Sequence, residues 1–405
     1  MPNVPKGRFW DADLLVNFCL EAVQYAAGCN ASVGIDSWGV DHAFVDQDDK
    51  IVFGPVMYRD PTHLAQFDKA LKDRHFAFQR TGIAHQPFNT LYQLAARSME
   101  DPSLRHRADW FLIPDLMGLF LTGVRRHERT QASTTQLMGL DGTWNREMFD
   151  LAGWPVPRLE PTKCGSVLGH CQGVPIVTVA SHDTGSAVVG VGSMLKGEAY
   201  LNVGTWALLG VVLDCPNTTP EAEKGNWTNE WAHDDKIRFL KNIPGFFVIN
   251  RLCQELGSGD SVGDWLERRD QTFLGRFDPH DPRLYNPDSM VEAVSAACTI
   301  APKDSQQFAE AALSSLVECI VTDLRDLEAL TGNLSQIRVV GGGSRSRSFC
   351  EALARATGMK IVAGHVEATV LGNLALQFVA TEDMGPSETE NLLQHASYDE
   401  SVGAA

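Results

Sequence analysis

A chain of 405 residues with ordinary apolar content is long enough to fold as two domains, each with a substantial core. Its 51 acidic residues outnumber 34 basic ones, which excludes a sequence-independent grip on nucleic-acid phosphates, because such a grip needs clustered Lys and Arg. No membrane partner is expected either, since Met1 to Lys6 lack the apolar run of a signal peptide and no apolar stretch approaches membrane-spanning length; nine cysteines without a C-x-x-C pair read as reduced, buried thiols of a cytoplasmic protein.

The first element is a helix over 11–27, with Leu14, Leu15, Phe18, Leu20 and Val23 roughly on one face and Gly28 as its stop. A strand from residue 31 reaches the Trp38–Gly39 turn, and the runs 42–45 and 51–53 flank a polar turn as a hairpin. Helical patterns dominate over 61–121, broken at Gly82 and Pro87. A loop-rich segment with Trp144 and Trp154 leads to an apolar strand, Ile176 to Ala180, that runs straight into Ser181, His182, Asp183 and Thr184.

Beyond the glycines at 192 and 197 a β-rich block begins, two apolar strands around Gly204–Thr205. Helices follow over 246–256 and 304–331. A strand over 336–340, the glycines 341–343 and a helix form the next unit, and a strand over 360–363 and a helix over 371–380 close the core. The expected division is a first domain over 1–192, a second over 193–385 and a loosely packed polar tail over 386–405.

Asp183 stands at the carboxyl end of a strand, where open α/β sheets bind ligands. Two roles are open to it: general base for a hydroxyl, or cap of the helix that follows. Gly204–Thr205 is either a plain hairpin turn or a place where backbone amides and a hydroxyl approach an anion. The glycines 341–343 between a strand and a helix suit a nucleotide phosphate, although their spacing is neither G-x-G-x-x-G nor a Walker A loop. Together with the Trp38–Gly39 turn these features point to two α/β domains facing a shared cleft. Phosphoryl transfer fits such an arrangement, since its catalysis is mostly positioning and charge neutralisation.

Several stretches together resemble the sugar kinases of the FGGY family: Gly34 to Asp41, Tyr58 to Asp60, Pro87 to Leu94, Ile113 to Asp115, Ala132 to Leu137, Ala180 to Thr184, Gly204 to Trp206, Leu240 to Ile243, Val340 to Gly343 and Leu371 to Asn373. The resemblance covers nearly the whole chain. It implies an α/β fold of two ribonuclease-H-like domains, of the actin and hexokinase type, around a cleft. It further implies ATP-dependent phosphorylation of a ketose, with Mg²⁺ bridging the nucleotide phosphates. Asp183 would be the base, Gly39, His182, Thr184 and Asn242 would line the sugar site, and Thr205, Asn250 and Gly342 the ATP site. The segments at Pro87 and Ala132 belong to the branch that converts L-rhamnulose to its 1-phosphate, so that ketose is the implied substrate; another ketose or a polyol is the alternative.

Some positions depart from the family pattern. The opening strand with an Asp-x-Gly turn, which supplies a carboxylate and a phosphate cradle, has no counterpart, and the residues from Met1 resemble a point inside the family's first domain. The first domain is therefore expected to be N-terminally incomplete, which keeps a catalytically weak or inactive sugar- or nucleotide-binding protein as a second reading. Asn250 stands where the branch carries Gln, Gln131 where it carries Asn, His63 where related kinases carry Arg, and Trp231–Ala232 in place of a Gly pair.

Overall fold

Asp11 accepts the Leu14 amide at 3.2 Å and so starts the helix Ala12–Cys29, a short acidic side chain satisfying a first-turn N–H. Gly28, expected as the stop, lies inside the helix, which ends instead at Asn30 with φ at 53°. Asparagine tolerates that left-handed conformation, so the end falls later. Val23 and Ala26 turn inward against Val33, Leu121 and Ile176.

The computed structural model describes residues 5–6, 8–70, 73–257, 259–285, 287–396 and 400–402; Met1 to Val4 lie outside them. The chain groups into two units: Met1–Val189, Leu213–Phe239 and Thr369–Asn391 form one, and Gly190–Val212, Leu240–Ala368 and Leu392–Ala405 the other. Two segments beyond residue 192 thus pack with the first unit, where a linear division puts them with the second. Buried amides hold them there. Asn229 Nδ2 reaches Gly82 O at 2.9 Å, and Asn373 Nδ2 reaches Gly34 O at 3.3 Å.

In the first unit the strand Val174–Thr178 is central, parallel to Val33–Gly34 on one side and antiparallel to Ser166–Cys171 on the other. A second sheet has the order Ile51–Phe53, His42–Val45, Asp109–Leu112. Its hairpin is as expected; the strand Asp109–Leu112 falls where helix is expected. Trp110, Phe111 and Leu112 are bulky residues suited to a pleated surface, and their backbone pairs with Phe44, Ala43 and His42. Phe44, Tyr92, Leu94, Trp110, Trp144 and Phe149 belong to the core beside this sheet.

The sheet of the second unit is built on Glu198–Val203, antiparallel to Trp206–Leu213 and parallel to Gln336–Val340, which in turn runs parallel to Lys360–Ala363. The helix Ser305–Thr331 starts where Asp304 accepts two amides, and it packs on the helices Phe247–Leu256 and Arg347–Thr357. The polar 386–405 segment is more ordered than its composition implies: it holds the helix Pro386–Ala396 and the strand Glu400–Val402. That strand pairs with Lys360–Ala363, satisfying backbone groups that the sheet edge would otherwise expose.

Among the described residues no helix is long and apolar enough to cross a membrane. All nine cysteines are free, but only Cys253 and Cys350 are buried, while Cys29 and Cys215 are exposed. The expectation of uniformly buried thiols is therefore corrected.

Candidate active site

The strand Val174–Thr178 leads through Val179 and Ala180 to Ser181 and His182, and the helix Asp183–Gly190 begins at once. Ser37 N–H donates to Ser181 O at 2.9 Å and Asp183 N–H to Ser37 O at 2.9 Å, so the two strand ends continue side by side. Gln131 Nε2 ties them, donating to Trp38 O at 3.0 Å and Ser181 O at 3.2 Å. Gly39 lies so close to Thr134 that a Cβ would meet Oγ1 at 2.9 Å. Four sequence-predicted sugar residues, Gly39, His182, Asp183 and Thr184, thus fall in one unit on two neighbouring strand ends.

Ser186 N–H donates to His182 O at 3.0 Å, so His182 occupies the capping position and Asp183 the first helical one. Asp183 Oδ1 accepts from its neighbour Thr184 N–H at 2.6 Å and lies 3.6 Å from His182 Nε2. Its side chain is 45% exposed, leaving carboxylate surface open to a hydroxyl. On the other ring nitrogen, His182 Nδ1 lies 3.1 Å from Glu230 Oε2, and Arg238 Nη2 lies 2.9 Å from the same oxygen.

Two further acids sit behind this surface. Burial pushes the Asp36 carboxyl up to about 6; a hydrogen bond from Asn373 opposes the shift and the charge of Asp183 adds to it. Burial pushes Asp41 up to about 7, even though Trp10 Nε1, Trp38 Nε1 and Gln93 Nε2 all donate to it, at 2.6, 2.9 and 3.2 Å. Trp38 has its indole N–H on this buried acid and its ring 4.7 Å from that of Trp10.

In the second unit, Gly204–Thr205 joins two strands and its carbonyls accept from Phe246 and Phe247 N–H at 3.0 and 3.2 Å, which fixes the start of the helix Phe247–Leu256. Asn250 lies one turn along that helix. Gly341 has φ at 79°, and the glycines press on the turn: a Cβ at Gly343 would come 2.5 Å from Val203 Cβ. A side chain there would close the space. Between them lies a cavity of about 520 Å³, lined by Thr205, Asn250, Gly342, Ser261, Arg345 and Ser346 among others. All three sequence-predicted ATP residues line it, and its size suits a nucleotide.

Residues 19–190 match the N-terminal domain of the FGGY family of carbohydrate kinases, and residues 199–381 its C-terminal domain. The chain belongs to this family. It is 36% identical to a rhamnulokinase of Klebsiella pneumoniae over 395 residues, 93% of this chain and 81% of that one. A rhamnulokinase of Enterococcus faecalis is 33% identical over 404 residues, with the same shares. In fold the chain resembles ligand-bound xylulose kinase from Lactobacillus acidophilus, with a TM-score of 0.83 at 18% identity over 100% of this chain and 87% of that one. Glycerol kinase from Plasmodium falciparum with ADP follows at 0.79 and 16%, over 99% and 87%. The two-domain fold of the actin and hexokinase type is thereby shown, and FGGY kinases transfer a phosphoryl group to sugars using ATP with Mg²⁺.

In this FGGY kinase one sequence-predicted sugar residue stands apart: Asn242, on the strand Ile237–Pro244, counts with the second unit. Lys241 beside it pairs with Asp323 at 2.6 Å. Ligand atoms of His280, Cys319 and Asp323 lie within 4.8 Å of one another, but the Lys241 ammonium already provides the cation there. His233, Asp234 and Asp235 form no metal cluster among the described residues: Asp235 pairs with Arg129 and Lys163, and Asp234 with Lys236.

Sequence reasoning missed Asp36 as a neighbour of Asp183 and missed Glu230 altogether. Asp36 carried a signal, as a lone acid among the apolar residues of a strand. Glu230 carried none, because its partner is 48 residues away.

Proposed function

We propose that this kinase phosphorylates L-rhamnulose on its primary hydroxyl, giving the 1-phosphate, with Asp183 as the general base. The observation that carries the base is the half-exposed Asp183 carboxylate at the end of the central strand, flanked by His182 and Thr184. The sugar rests on the 36% and 33% identity to two rhamnulokinases. Gly39, His182 and Thr184 are the sugar contacts in the first unit, and Asn242 is retained as a sugar contact on the resemblance alone. Thr205, Asn250 and Gly342 hold the nucleotide.

Mg²⁺ takes oxygen ligands and usually keeps waters beside the nucleotide phosphates, so the hydroxyls of Thr205, Ser261 and Ser346 in the cavity wall are the right donor type. Bound there, the cation neutralises phosphate charge. The chain's own residues do the rest: the glycine turns let backbone approach the phosphates, and Asp183 removes the hydroxyl proton. Free thiols suit a cytoplasmic setting for this chemistry.

A second reading, another ketose or a polyol, draws on Gln131, which reaches both strand ends of the sugar side where the branch carries the shorter Asn. ADP release measured with ATP, Mg²⁺ and a panel of ketoses and polyols separates the two. Turnover fastest on L-rhamnulose, and abolished in Asp183→Asn with sugar affinity kept, is the expected result. Unchanged turnover in that variant would remove Asp183 as base.

A further inference from the structure

Glu230 has no role in the chemistry described so far, yet it is buried and its oxygen Oε2 is shared by two partners. Arg238 Nη2 lies at 2.9 Å and His182 Nδ1 at 3.1 Å. Burial pushes the Glu230 carboxyl up, while the Arg238 charge and the hydrogen bonds from His182 and Arg238 pull it down, and the net is a carboxyl below the usual range. An ionised carboxylate only accepts, so His182 Nδ1 carries the hydrogen. Arg238 Nη2 also lies 3.2 Å from Nδ1, but a guanidinium can only donate, and its bond to the carboxylate is the stronger one. With Nδ1 so committed, the ring presents Nε2 to Asp183 Oδ1, 3.6 Å away.

We propose that Glu230, braced by Arg238, holds the His182 ring so that Nε2 takes up the proton which Asp183 removes from the sugar hydroxyl. This rests on Asp183 being the base. In the transfer, the sugar O–H bond breaks toward Asp183 and the oxygen bonds to the γ-phosphorus. The bond from that phosphorus to the β,γ-bridging oxygen breaks, and ADP leaves with its electron pair. The proton passes from Asp183 Oδ1 to His182 Nε2, and the Glu230 carboxylate balances the imidazolium. The charged groups around the ring are Glu230 and Arg238 on one side and Asp183 and Asp36 on the other. Glu230 is a positioning residue, acting through His182.

The test is the pH profile of kcat, with ATP, Mg²⁺ and the best sugar of the panel, for wild type, Asp183→Asn, Glu230→Gln and His182→Gln. His182 must be neutral to receive the proton, so wild-type kcat should fall on the acid side as the ring charges. Glu230→Gln removes the counter-charge, and kcat should drop about tenfold or more while the acid limb moves to lower pH and the sugar KM stays within about twofold. In His182→Gln the part of the acid limb set by the ring should go, leaving only the fall that follows when the Asp183 base itself is protonated. An acid limb unmoved in Glu230→Gln, or standing in His182→Gln where it stands in wild type, would overturn the relay, and His182→Gln decides alone if Glu230→Gln does not fold. Turnover surviving in Asp183→Asn would instead overturn the assignment of the base.

Discussion

Asn373 donates from Nδ2 to the Asp36 carboxylate at 2.6 Å, joining residues 337 positions apart. The same amide reaches Gly34 O, while Asn373 Oδ1 accepts from Gln377, whose own Oε1 accepts from Ser32. The helix Ala368–Ala380 is thereby latched onto the edge strand beside the Asp183 strand.

The Asp36 carboxyl, raised to about 6 by burial above all, makes stability depend on pH. A folded carboxyl that holds its proton more tightly than the unfolded one contributes stability that is fully present below about pH 4 and lost as pH rises through about 6. The loss at neutral pH is on the order of 2–3 kcal/mol. Asp36→Asn keeps an acceptor for Asn373 and escapes that loss. Chemical denaturation should find the variant more stable than wild type near neutrality, with the gap closing toward about pH 4. An equal gap at both pH values would show that Asp36 is not the group responsible.

Two glycines should respond in opposite ways to alanine. Gly343→Ala drives a Cβ to 2.5 Å from Val203 Cβ, so it should cost about 1–3 kcal/mol and weaken ADP binding through the distorted cavity wall. Gly28→Ala meets nothing within 4 Å inside a helix and should stabilise by about 0.5–1 kcal/mol. Thermal melts read both changes, and calorimetric titration with ADP reads the first.

Thr205→Val removes a cavity-lining hydroxyl at nearly constant volume. A hydrogen bond to a charged phosphate is worth about 1.5–3 kcal/mol, so KM for ATP should rise about tenfold or more with the sugar KM unchanged. A matching rise in sugar KM would mean that the turn does not serve the nucleotide alone.

Phe149→Ala empties a fully buried position packed against Trp110 and Trp144. It should destabilise by about 3–5 kcal/mol, measured by urea denaturation. A cost below about 1 kcal/mol would mean that the surrounding aromatics collapse into the space.

Most elements were legible because their signals are local. Asp11 and Asp304 mark helix starts, the polar turn at Asp46 marks a hairpin, and glycines 341–343 mark a strand-to-helix turn. The strand Asp109–Leu112 was not legible, because a short apolar run fits helix or strand equally and its pairing partner, His42–Val45, lies far back in the chain. The cavity residues Thr205, Asn250 and Gly342 were named on the family resemblance, yet nothing in their spacing shows that they share one wall.

Apolar period, capping side chains and backbone freedom act over a few residues, so the places where the chain turns and where an acid or a glycine meets a strand end are legible in the residues themselves. What each acid does follows from the tertiary structure. Asp41 gathers two indoles, Asp36 is latched by Asn373, and Glu230 fixes His182, because a buried carboxylate takes its charge state and role from groups that folding brings from distant positions.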